Sequence, residues 1–235
     1  MKALVLCAGA GTRLGALCDK RPKPLITVGS RAIVEHILAS LVAAGCDEVW
    51  INLHHHAEQF PATLGTGARF GLRIHYVWEP QTRGTAGTVA DLRARVGDEL
   101  LVHYGDILTD HDLGGLLDAH RRRQSWATLL VHQRSGSNSV ALLGDDDRVL
   151  AFHERPQHPV EHGACSAWVF SGICVLGRSA MAAIPGDACP DLPRDLFPAL
   201  AAAGRLHAQR LAGFRCAIDS PERLALARSS FVPRP

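Results

Sequence analysis

The first apolar run of the chain leads into a glycine-rich turn that contains an arginine and is followed by a proline-flanked lysine. Residues 6–25 read LCAGAGTRLGALCDKRPKPL, with Arg13 in the turn and Lys23 between two prolines. Glycines let successive backbone N–H groups point at an anion, and the two cations add charge suited to a polyphosphate. The prolines would hold the backbone of Lys23 stiffly while its side chain reaches the anion. The segment therefore indicates a phosphate-binding loop.

Two common nucleotide-binding loops fit this segment poorly. A dinucleotide-binding turn needs G-x-G-x-x-G and an acidic residue about 20 positions later, at the end of the second strand. Here Gly9, Gly11 and Gly15 give G-x-G-x-x-x-G, and the next apolar run ends in NLH at 52–54. A P-loop needs Gly-Lys followed by Ser or Thr, and Gly-Lys does not occur in the sequence. A triphosphate loop of another kind and a tight connection without chemistry stay open at this point.

Apolar periodicity predicts the elements that position this loop. In the first part of the chain, apolar runs alternate with amphipathic stretches, which indicates βαβ units and a mainly parallel sheet. The expected strands are 2–7, 48–53, 72–79 and 99–106, and the expected helices are 31–45, about 57–64 and 85–95.

The second part of the chain shows a different pattern. After residue 125, short alternating runs are separated by the turn-forming segments SGSN and DDDR, which is typical of antiparallel strands. A long strand is expected at 166–177 and a helix near 193–203. Ser220 followed by Pro221 is typical of a helix start and predicts a terminal helix.

Length and composition suit one large α/β domain or one domain with a small addition. The chain has 235 residues, is 47% hydrophobic and carries a formal net charge of +2. This near balance argues against nucleic acid or a membrane as the main partner. The sequence shows neither a run of about 18 apolar residues nor a signal-peptide pattern, and its seven scattered cysteines form no C-x-x-C pair. We therefore expect a cytoplasmic protein with reduced thiols.

At the opening segment the chain resembles the sugar-1-phosphate nucleotidylyltransferases, also called nucleotide-sugar pyrophosphorylases. That family carries G-x-G-T-R-L followed by P-K-P-L, which this sequence matches at 9–14 and 22–25. The resemblance extends over essentially the whole chain. It implies an α/β fold with a Rossmann-like, mainly parallel mixed sheet flanked by helices, of the glycosyltransferase-A-like nucleotidyltransferase type, with a smaller antiparallel part. We expect a single domain over 1–235, with a nucleotide-binding half at 1–125 and an acceptor-binding half at 126–235.

The resemblance also implies a nucleotide site. Arg13 and Lys23 are the implied catalytic residues, and a G-T-A-G segment in EPQTRGTAGT (79–88) is similar to the one that lies against the base in the family. Without the resemblance, that segment would be interpreted as a helix start after a loop. The implied nucleotide-binding residues are Leu6, Ala8, Gly9, Ala10, Gly11, Thr12, Arg13, Gln81, Gly84, Thr85 and Ala86.

Two aspartates are implied to bind Mg²⁺. HYGDIL (103–108) resembles the family's strand-end G-D and places Asp106 there, while FRCAIDSPERL (214–224) resembles W-x-D-I-G-T-P-E-x-L and retains Asp219. The second motif has Ser220 in place of Gly-Thr and lacks the tryptophan. One or two carboxylates suit Mg²⁺, because water and phosphate oxygens complete its coordination shell. Asp110 and Asp112 are instead expected to cap the following helix.

The implied acceptor site departs from the family at one cation. FHERP (152–156) resembles E-K-P, whose glutamate bonds sugar hydroxyls and whose lysine meets the sugar phosphate, and this chain has Arg155 in place of the lysine. A planar guanidinium recognises phosphate with a different geometry from an ammonium group, which leaves the acceptor open. The implied acceptor-binding residues are Tyr104, Glu154, Arg155, Ser171 and Gly172.

The resemblance implies a Mg²⁺-dependent reaction of a nucleoside triphosphate with a sugar 1-phosphate or sugar-like phosphate, giving a nucleotide-sugar and pyrophosphate. The G-T-A-G segment is most similar to guanylyltransferases for mannose or heptose 1-phosphates, so GTP is favoured. Ala8 stands where the family frequently has glycine, and in this the chain resembles uridylyltransferases of the muramic acid recycling type. Uridylyl or thymidylyl transfer is therefore the alternative within the family. A silent nucleotide-binding homologue and a nicotinamide-dependent oxidoreductase are the alternatives outside it. A homo-oligomer is compatible with the sequence.

Overall fold

The structure, a computed structural model, describes residues 1–9, 11–134, 137, 139–161, 165–186 and 189–232. For Thr12, Arg13 and Ala16 it describes the backbone alone. The strands of the described residues are β1 (Lys2–Leu6), β2 (Thr27–Val28), β3 (Arg31–Ala32), β4 (Glu48–Leu53), β5 (Arg73–Trp78), β6 (Glu99–Tyr104), β7 (Ile107–Thr109), β8 (Ala127–His132), β9 (Ser139–Leu143), β10 (Val149–Glu154), β11 (Ser166–Gly177), β12 (Leu206–Arg210) and β13 (Arg215–Ala217). The α-helices are α1 (Ile33–Ala43), α2 (Gln59–Leu64), α3 (Gly84–Leu92), α4 (Leu113–Arg123), α5 (Arg178–Ala182), α6 (Phe197–Ala202) and α7 (Pro221–Ser230).

The chain folds into two compact units that alternate along the sequence. The first unit combines Met1–Thr82, Val102–Gly114 and Ala212–Pro235, and the second combines Arg83–Leu101 and Gly115–Leu211. Among the helices that the structure describes, none is long and apolar enough to cross a membrane.

The first unit contains β1, β4 and β5 and the last three residues of β6, in the sheet order β6-β1-β4-β5. Strands β1, β4 and β5 are parallel, with Lys2 paired to Glu48 and Glu48 paired to Arg73. The middle of β1 is fully buried, as expected for a parallel strand covered on both faces. Because parallel strands end at the same edge, the loops that follow β1, β4 and β5 are brought to one edge of this sheet.

Two local signals define the limits of α1 in this unit. The Ala32 N–H donates to the Glu35 carboxylate at 2.7 Å, which satisfies a backbone donor before the first turn. Gly45, with φ of 81°, follows the helix and supplies the left-handed conformation that commonly ends one. The apolar face of α1, including Ile33, Ile37 and Leu41, is buried in the core.

The second unit is dominated by antiparallel pairing. β9 and β10 form a hairpin, and β11 pairs with β9 through its first residues and with β8 through Val169–Leu176. β12 adds to β8 in parallel. A π-helical turn at Leu192–Leu196 leads directly into α6.

The predicted fold class, a mainly parallel mixed α/β sheet with a smaller antiparallel part, is confirmed. Strands 48–53 and 166–177 have the predicted limits, and the terminal helix begins after Ser220 as predicted. The short helix α5 was not predicted, and the region near 193–203 begins as a π-helical turn rather than an α-helix. Most of the predicted SGSN turn lies outside the described residues. The single domain with halves at 1–125 and 126–235 stays a prediction.

Candidate active site

The glycine-rich loop begins where β1 ends. Gly11 has φ of 66°, and a Cβ there would lie 3.0 Å from Cys18 Sγ and 3.4 Å from Lys23 Cβ, so both conformation and space favour glycine. A 3₁₀ segment, Thr12–Leu17, follows it. Leu6 is half-buried, Ala8 is buried and Gly9 is exposed. Ala10 and the side chains of Thr12 and Arg13 lie outside the described residues, so their nucleotide-binding roles stay predictions.

A buried amide anchors the start of this loop. Asn52, the next-to-last residue of β4, accepts a hydrogen bond from the Cys7 N–H at 2.7 Å and donates one to Glu79 Oε1 at 3.0 Å. Asn52 and Glu79 are each 4% exposed. Buried polar groups require such partners, so the network fixes the chain at the point where it leaves the sheet. The sequence signal was the polar Asn within the apolar run EVWINL, and its anchoring role was not predicted.

Lys23 lies on a short 3₁₀ turn, Lys23–Leu25, whose backbone is restricted by the flanking prolines. The Leu25 N–H donates to the Pro22 carbonyl at 2.9 Å and closes the turn. The Lys23 ammonium donates to Asp106 Oδ2 at 2.9 Å. The side chains of this pair are 13% and 28% exposed, respectively, so the ion pair is only partly open to solvent.

Gly105 allows Asp106 to lie next to the loop. A Cβ at Gly105 would lie 2.6 Å from Cys7 Sγ, 2.8 Å from the Leu6 carbonyl oxygen and 3.2 Å from Pro24 Cγ. The Gly105 N–H donates to that Leu6 carbonyl at 2.9 Å. The G-D pair therefore combines a close backbone approach with a carboxylate, and the steric reason for the glycine becomes evident only in three dimensions.

A short antiparallel ladder joins the segments that carry the two aspartates. β7 and β13 pair Ile107 with Ala217, and one step further the Ile218 N–H donates to the Asp106 carbonyl at 2.8 Å. Asp219 comes next in the chain, and its Oδ1 lies 3.3 Å from Arg223 Nε at the start of α7. The two aspartates, 113 positions apart in sequence, are thus on adjoining segments of one unit.

The expectation that Asp110 caps α4 is wrong. Asp110 Oδ1 accepts a hydrogen bond from the Phe214 N–H at 2.6 Å, and the Thr109 hydroxyl donates to the Phe214 carbonyl at 2.8 Å. Asp112 directly precedes α4, as a cap would. The bonds of Asp110 and Thr109 extend the β7–β13 ladder, so these residues help to hold the Asp219 segment against the Asp106 segment.

The donor chemistry of the aspartate pair fits Mg²⁺. Asp106 and Asp219 supply hard carboxylate oxygens, and Mg²⁺ sites in phosphate-transfer enzymes use one or two carboxylates together with substrate phosphates and water. Within the described residues no group of three or more His, Cys, Asp and Glu side chains could hold a metal ion. Among these residues the aspartate pair could therefore supply only part of a Mg²⁺ coordination shell.

A neutral histidine lies beside this pair. His103 is fully buried, and burial lowers its pKa to about 4, against the opposing effects of a hydrogen bond to the Tyr104 carbonyl and of the nearby Asp106. At neutral pH the imidazole therefore adds no positive charge near Asp106. Tyr104, predicted to bind the acceptor, is half-buried at the end of β6.

In the second unit, the G-T-A-G segment forms the first turn of α3 and packs on residues 189–192. Gly84 has φ of 71°, and a Cβ there would lie 2.4 Å from the Pro190 carbonyl oxygen. That same carbonyl accepts hydrogen bonds from the N–H groups of Ala86 (3.0 Å) and Gly87 (3.3 Å). These contacts give the segment a structural role, and its contact with a nucleobase stays a prediction. Gln81 lies in the first unit and is exposed.

An aspartate that was not predicted lies between α3 and the acceptor motif. Asp191 Oδ2 accepts from the Thr85 hydroxyl at 2.9 Å, and that hydroxyl accepts from the Leu192 N–H at 2.8 Å. Glu154, at the end of β10, is 19% exposed and lies 3.5 Å from Arg155 Nε. Burial, and then the charge of Asp191, raise the pKa of Glu154, while Arg155 opposes them. The charge of Asp191 therefore acts on Glu154 at the predicted acceptor motif.

The remaining predicted acceptor residues lie at an irregularity of β11. The register of the β11–β8 pair shifts between Phe170 and Cys174, and Gly172 there has φ of 83°. Ser171 is fully buried, with its hydroxyl 3.0 Å from His132 Nδ1. The hydroxyl of Ser171 thus has a partner within the protein, and a role of Ser171 and Gly172 toward an acceptor stays a prediction.

Comparison with known proteins identifies the family. Residues 2–213 match the family described as nucleotidyl transferase, a range that includes the glycine-rich loop, Lys23, Asp106 and the Glu154 motif. The chain belongs to the nucleotidyl transferase family. Asp219 lies beyond the matched range, so its inclusion rests on the β7–β13 ladder and on the motif around it.

Curated nucleotidyl transferases similar to this chain differ in the base they use. A mannose-1-phosphate guanylyltransferase of Mycobacterium tuberculosis is 32% identical over 205 residues, covering 86% of this chain and 56% of the relative. A UTP–glucose-1-phosphate uridylyltransferase of Synechocystis is 30% identical over 220 residues, covering 87% of this chain and 56% of the relative. This chain spans about half the length of these relatives.

A solved structure shows the same fold. A Bacillus anthracis protein described as a glucose-1-phosphate thymidylyltransferase, in complex with sucrose, superposes with a TM-score of 0.86 at 19% identity. The match covers 100% of this chain and 98% of the other. At this identity the likeness establishes the family fold and nothing about substrates.

Replacing Gly105 with alanine should distort the aspartate pair. Because the added methyl group would meet Cys7 Sγ and the Leu6 carbonyl, we expect Gly105→Ala to lower the free energy of unfolding by about 1–3 kcal/mol. Thermal or urea unfolding measures this. Gly186→Ala is the matched control, since a Cβ there meets nothing within 4 Å and should leave stability nearly unchanged. Equal stability of the two variants would contradict the packing account of the G-D pair.

The Glu154–Asp191 pair predicts a pH effect. If ionised Glu154 accepts a hydrogen bond from a hydroxyl of the acceptor substrate, that bond is lost when the carboxylate is protonated. The value of 1/KM for the acceptor substrate should therefore fall as pH drops through the raised pKa of Glu154. Asp191→Asn removes the negative charge that helps to raise this pKa, so the midpoint should move to lower pH. Initial rates across pH measure it, with Asp118→Asn as a control that removes an exposed charge from α4. A midpoint that stays in place or moves upward in Asp191→Asn would refute this role.

Proposed function

We propose that this chain transfers a nucleoside monophosphate from a nucleoside triphosphate to a sugar 1-phosphate or a sugar-like phosphate, releasing pyrophosphate. The observation that carries the proposal is the arrangement in the first unit. A glycine-rich loop, the Lys23 ammonium and the Asp106 carboxylate meet at the end of β1, with the Asp219 segment joined to Asp106 through a backbone hydrogen bond. Membership of the nucleotidyl transferase family supports the same reaction class.

The reaction requires no protein nucleophile. An oxygen of the acceptor phosphate forms a bond to the α-phosphorus while the bond from that phosphorus to the bridging oxygen of the pyrophosphate breaks. The protein has to align two anions that repel one another and to stabilise the charge of the leaving pyrophosphate. A glycine-rich loop that carries Arg13 and is followed by Lys23 is suited to that task.

Different residues of the chain would bind the triphosphate, the acceptor and the metal. Lys23 and the loop amides, together with Arg13, would bind the triphosphate. Arg155, whose side chain is 75% exposed, would bind the acceptor phosphate, and Glu154 would accept hydrogen bonds from acceptor hydroxyls. Asp106 and Asp219 would hold Mg²⁺, which when bound offsets phosphate charge and orients the reactants.

The base and the acceptor are narrower proposals. GTP is favoured by the G-T-A-G segment and by the similarity to a mannose-1-phosphate guanylyltransferase, and UTP and dTTP are the alternatives that other relatives support. A hexose, heptose or amino-sugar 1-phosphate, or a cyclitol phosphate, would suit the acceptor motif. The cytoplasmic location and a homo-oligomeric state stay predictions.

A substrate panel tests the proposal. Pyrophosphate release would be measured with Mg²⁺, each of GTP, UTP, dTTP, CTP and ATP, and a set of hexose, heptose and amino-sugar 1-phosphates. We expect release with one preferred pair, GTP among the triphosphates. Binding of a nucleotide without release for any acceptor would instead support a silent nucleotide-binding homologue.

Removing one aspartate charge tests the role of the pair. Asp106→Asn should reduce turnover by about 10²-fold or more, because the neutral amide binds Mg²⁺ poorly. The unfolding temperature should change little, since Asn retains the shape of the side chain. Rates and thermal unfolding would be compared with those of Asp112→Asn. Undiminished activity of Asp106→Asn would exclude the metal role.

A further inference from the structure

Both aspartates of the predicted metal site are paired with cations of the chain itself. Lys23 Nζ lies 2.9 Å from Asp106 Oδ2, and Arg223 Nε lies 3.3 Å from Asp219 Oδ1. All four side chains belong to the first unit and are only partly exposed. The two carboxylates lie on adjoining segments, so without counter-charges they would repel one another.

Hydrogen bonds at the start of α7 hold Arg223 next to Asp219. Arg223 lies in the first turn of α7, four residues after Asp219. Its backbone N–H donates to the Ser220 hydroxyl that caps the helix. Its guanidinium also lies 3.5 Å from the Ala217 carbonyl, the last residue of β13. The side chain therefore follows the strand end toward Asp219 instead of extending into solvent.

We infer that Lys23 and Arg223 act as built-in counter-ions that neutralise Asp106 and Asp219 before substrate binds, with Arg223 as a positioning residue for Asp219. A divalent cation that enters alone must displace both cations, which then lose their anionic partners. A cation that enters with a triphosphate faces a smaller penalty, because the phosphates provide a new partner for Lys23. The protein should therefore bind free metal weakly and the metal–nucleotide complex well. This inference rests on the proposed function.

Mn²⁺ binding to the protein without nucleotide tests the inference independently of turnover. The free-ion signal in electron paramagnetic resonance gives the Kd. We expect Arg223→Gln to bind Mn²⁺ about three- to tenfold more tightly than the wild type, since Asp219 no longer has to leave the Arg223 guanidinium. Arg228→Gln is the matched control, because it removes a cation from the same helix that contacts the Thr27 carbonyl and no aspartate, and it should change the Kd less than twofold. Arg223→Lys retains the charge and should remain near the wild type.

Replacement of Lys23 should change the Kd for free Mn²⁺ and the Kd for Mn²⁺–GTP in opposite directions. Lys23→Gln should bind free Mn²⁺ several-fold more tightly but bind Mn²⁺–GTP about tenfold more weakly, because the lysine moves from Asp106 to the phosphates. A lysine that only supported the fold would weaken both when replaced. Lys20→Gln, three residues away and exposed, controls for the loss of one positive charge and should leave both Kd values within about twofold.

Three results would overturn the inference: equal Mn²⁺ affinity in Arg223→Gln and Arg228→Gln, weaker binding of both ligands by Lys23→Gln, or no measurable Mn²⁺ binding in any variant. Failure of the proposed function looks different, since the wild type would then release no pyrophosphate while the variants still tightened free Mn²⁺ binding. Thermal unfolding of each variant verifies that it is folded before its Kd is compared.

Discussion

The candidate nucleotide site depends on one short antiparallel ladder. β7 and β13 join a segment near the middle of the chain to one near its end, and the Ile218 N–H bond to the Asp106 carbonyl continues that pairing to the aspartates themselves. Backbone pairing of this kind fixes the distance between two segments regardless of their side chains. Asp110 and Thr109 extend it through Phe214, so several hydrogen bonds keep the two carboxylates on adjoining segments.

Each aspartate of the candidate site has a cation of the protein next to it. Lys23 and Arg223 lie against the two aspartates, and His103 beside Asp106 is kept neutral by burial. A phosphate substrate with its metal would replace these internal partners with equivalent external ones. The second unit carries the predicted acceptor motif, where the charge of Asp191 acts on Glu154 and Arg155 opposes it. On the proposed function, substrate binding would replace ion pairs within the protein by ion pairs between the protein, the phosphates and the metal.

Local signals in the sequence predicted most of the helices and strands. Strand β4 and helix α7 follow from an apolar run and from a Ser-Pro helix start, which act over a few residues. The anchoring role of Asn52, the partner of Asp110 and the position of Asp191 depend on segments far apart in the chain. Pattern reasoning failed for Asp110 because an aspartate before a helix is usually a cap, whereas here a distant backbone N–H competes for its carboxylate.

The most direct measurement is the location of a metal in crystals grown with Mn²⁺ and a non-hydrolysable GTP analogue. Anomalous scattering locates Mn²⁺ without reference to any assumed role. The account predicts a peak at coordination distance, about 2.1–2.3 Å, from carboxylate oxygens of both Asp106 and Asp219, with Lys23 on the phosphates. A metal held by the phosphates alone, with Lys23 still on Asp106, would contradict it.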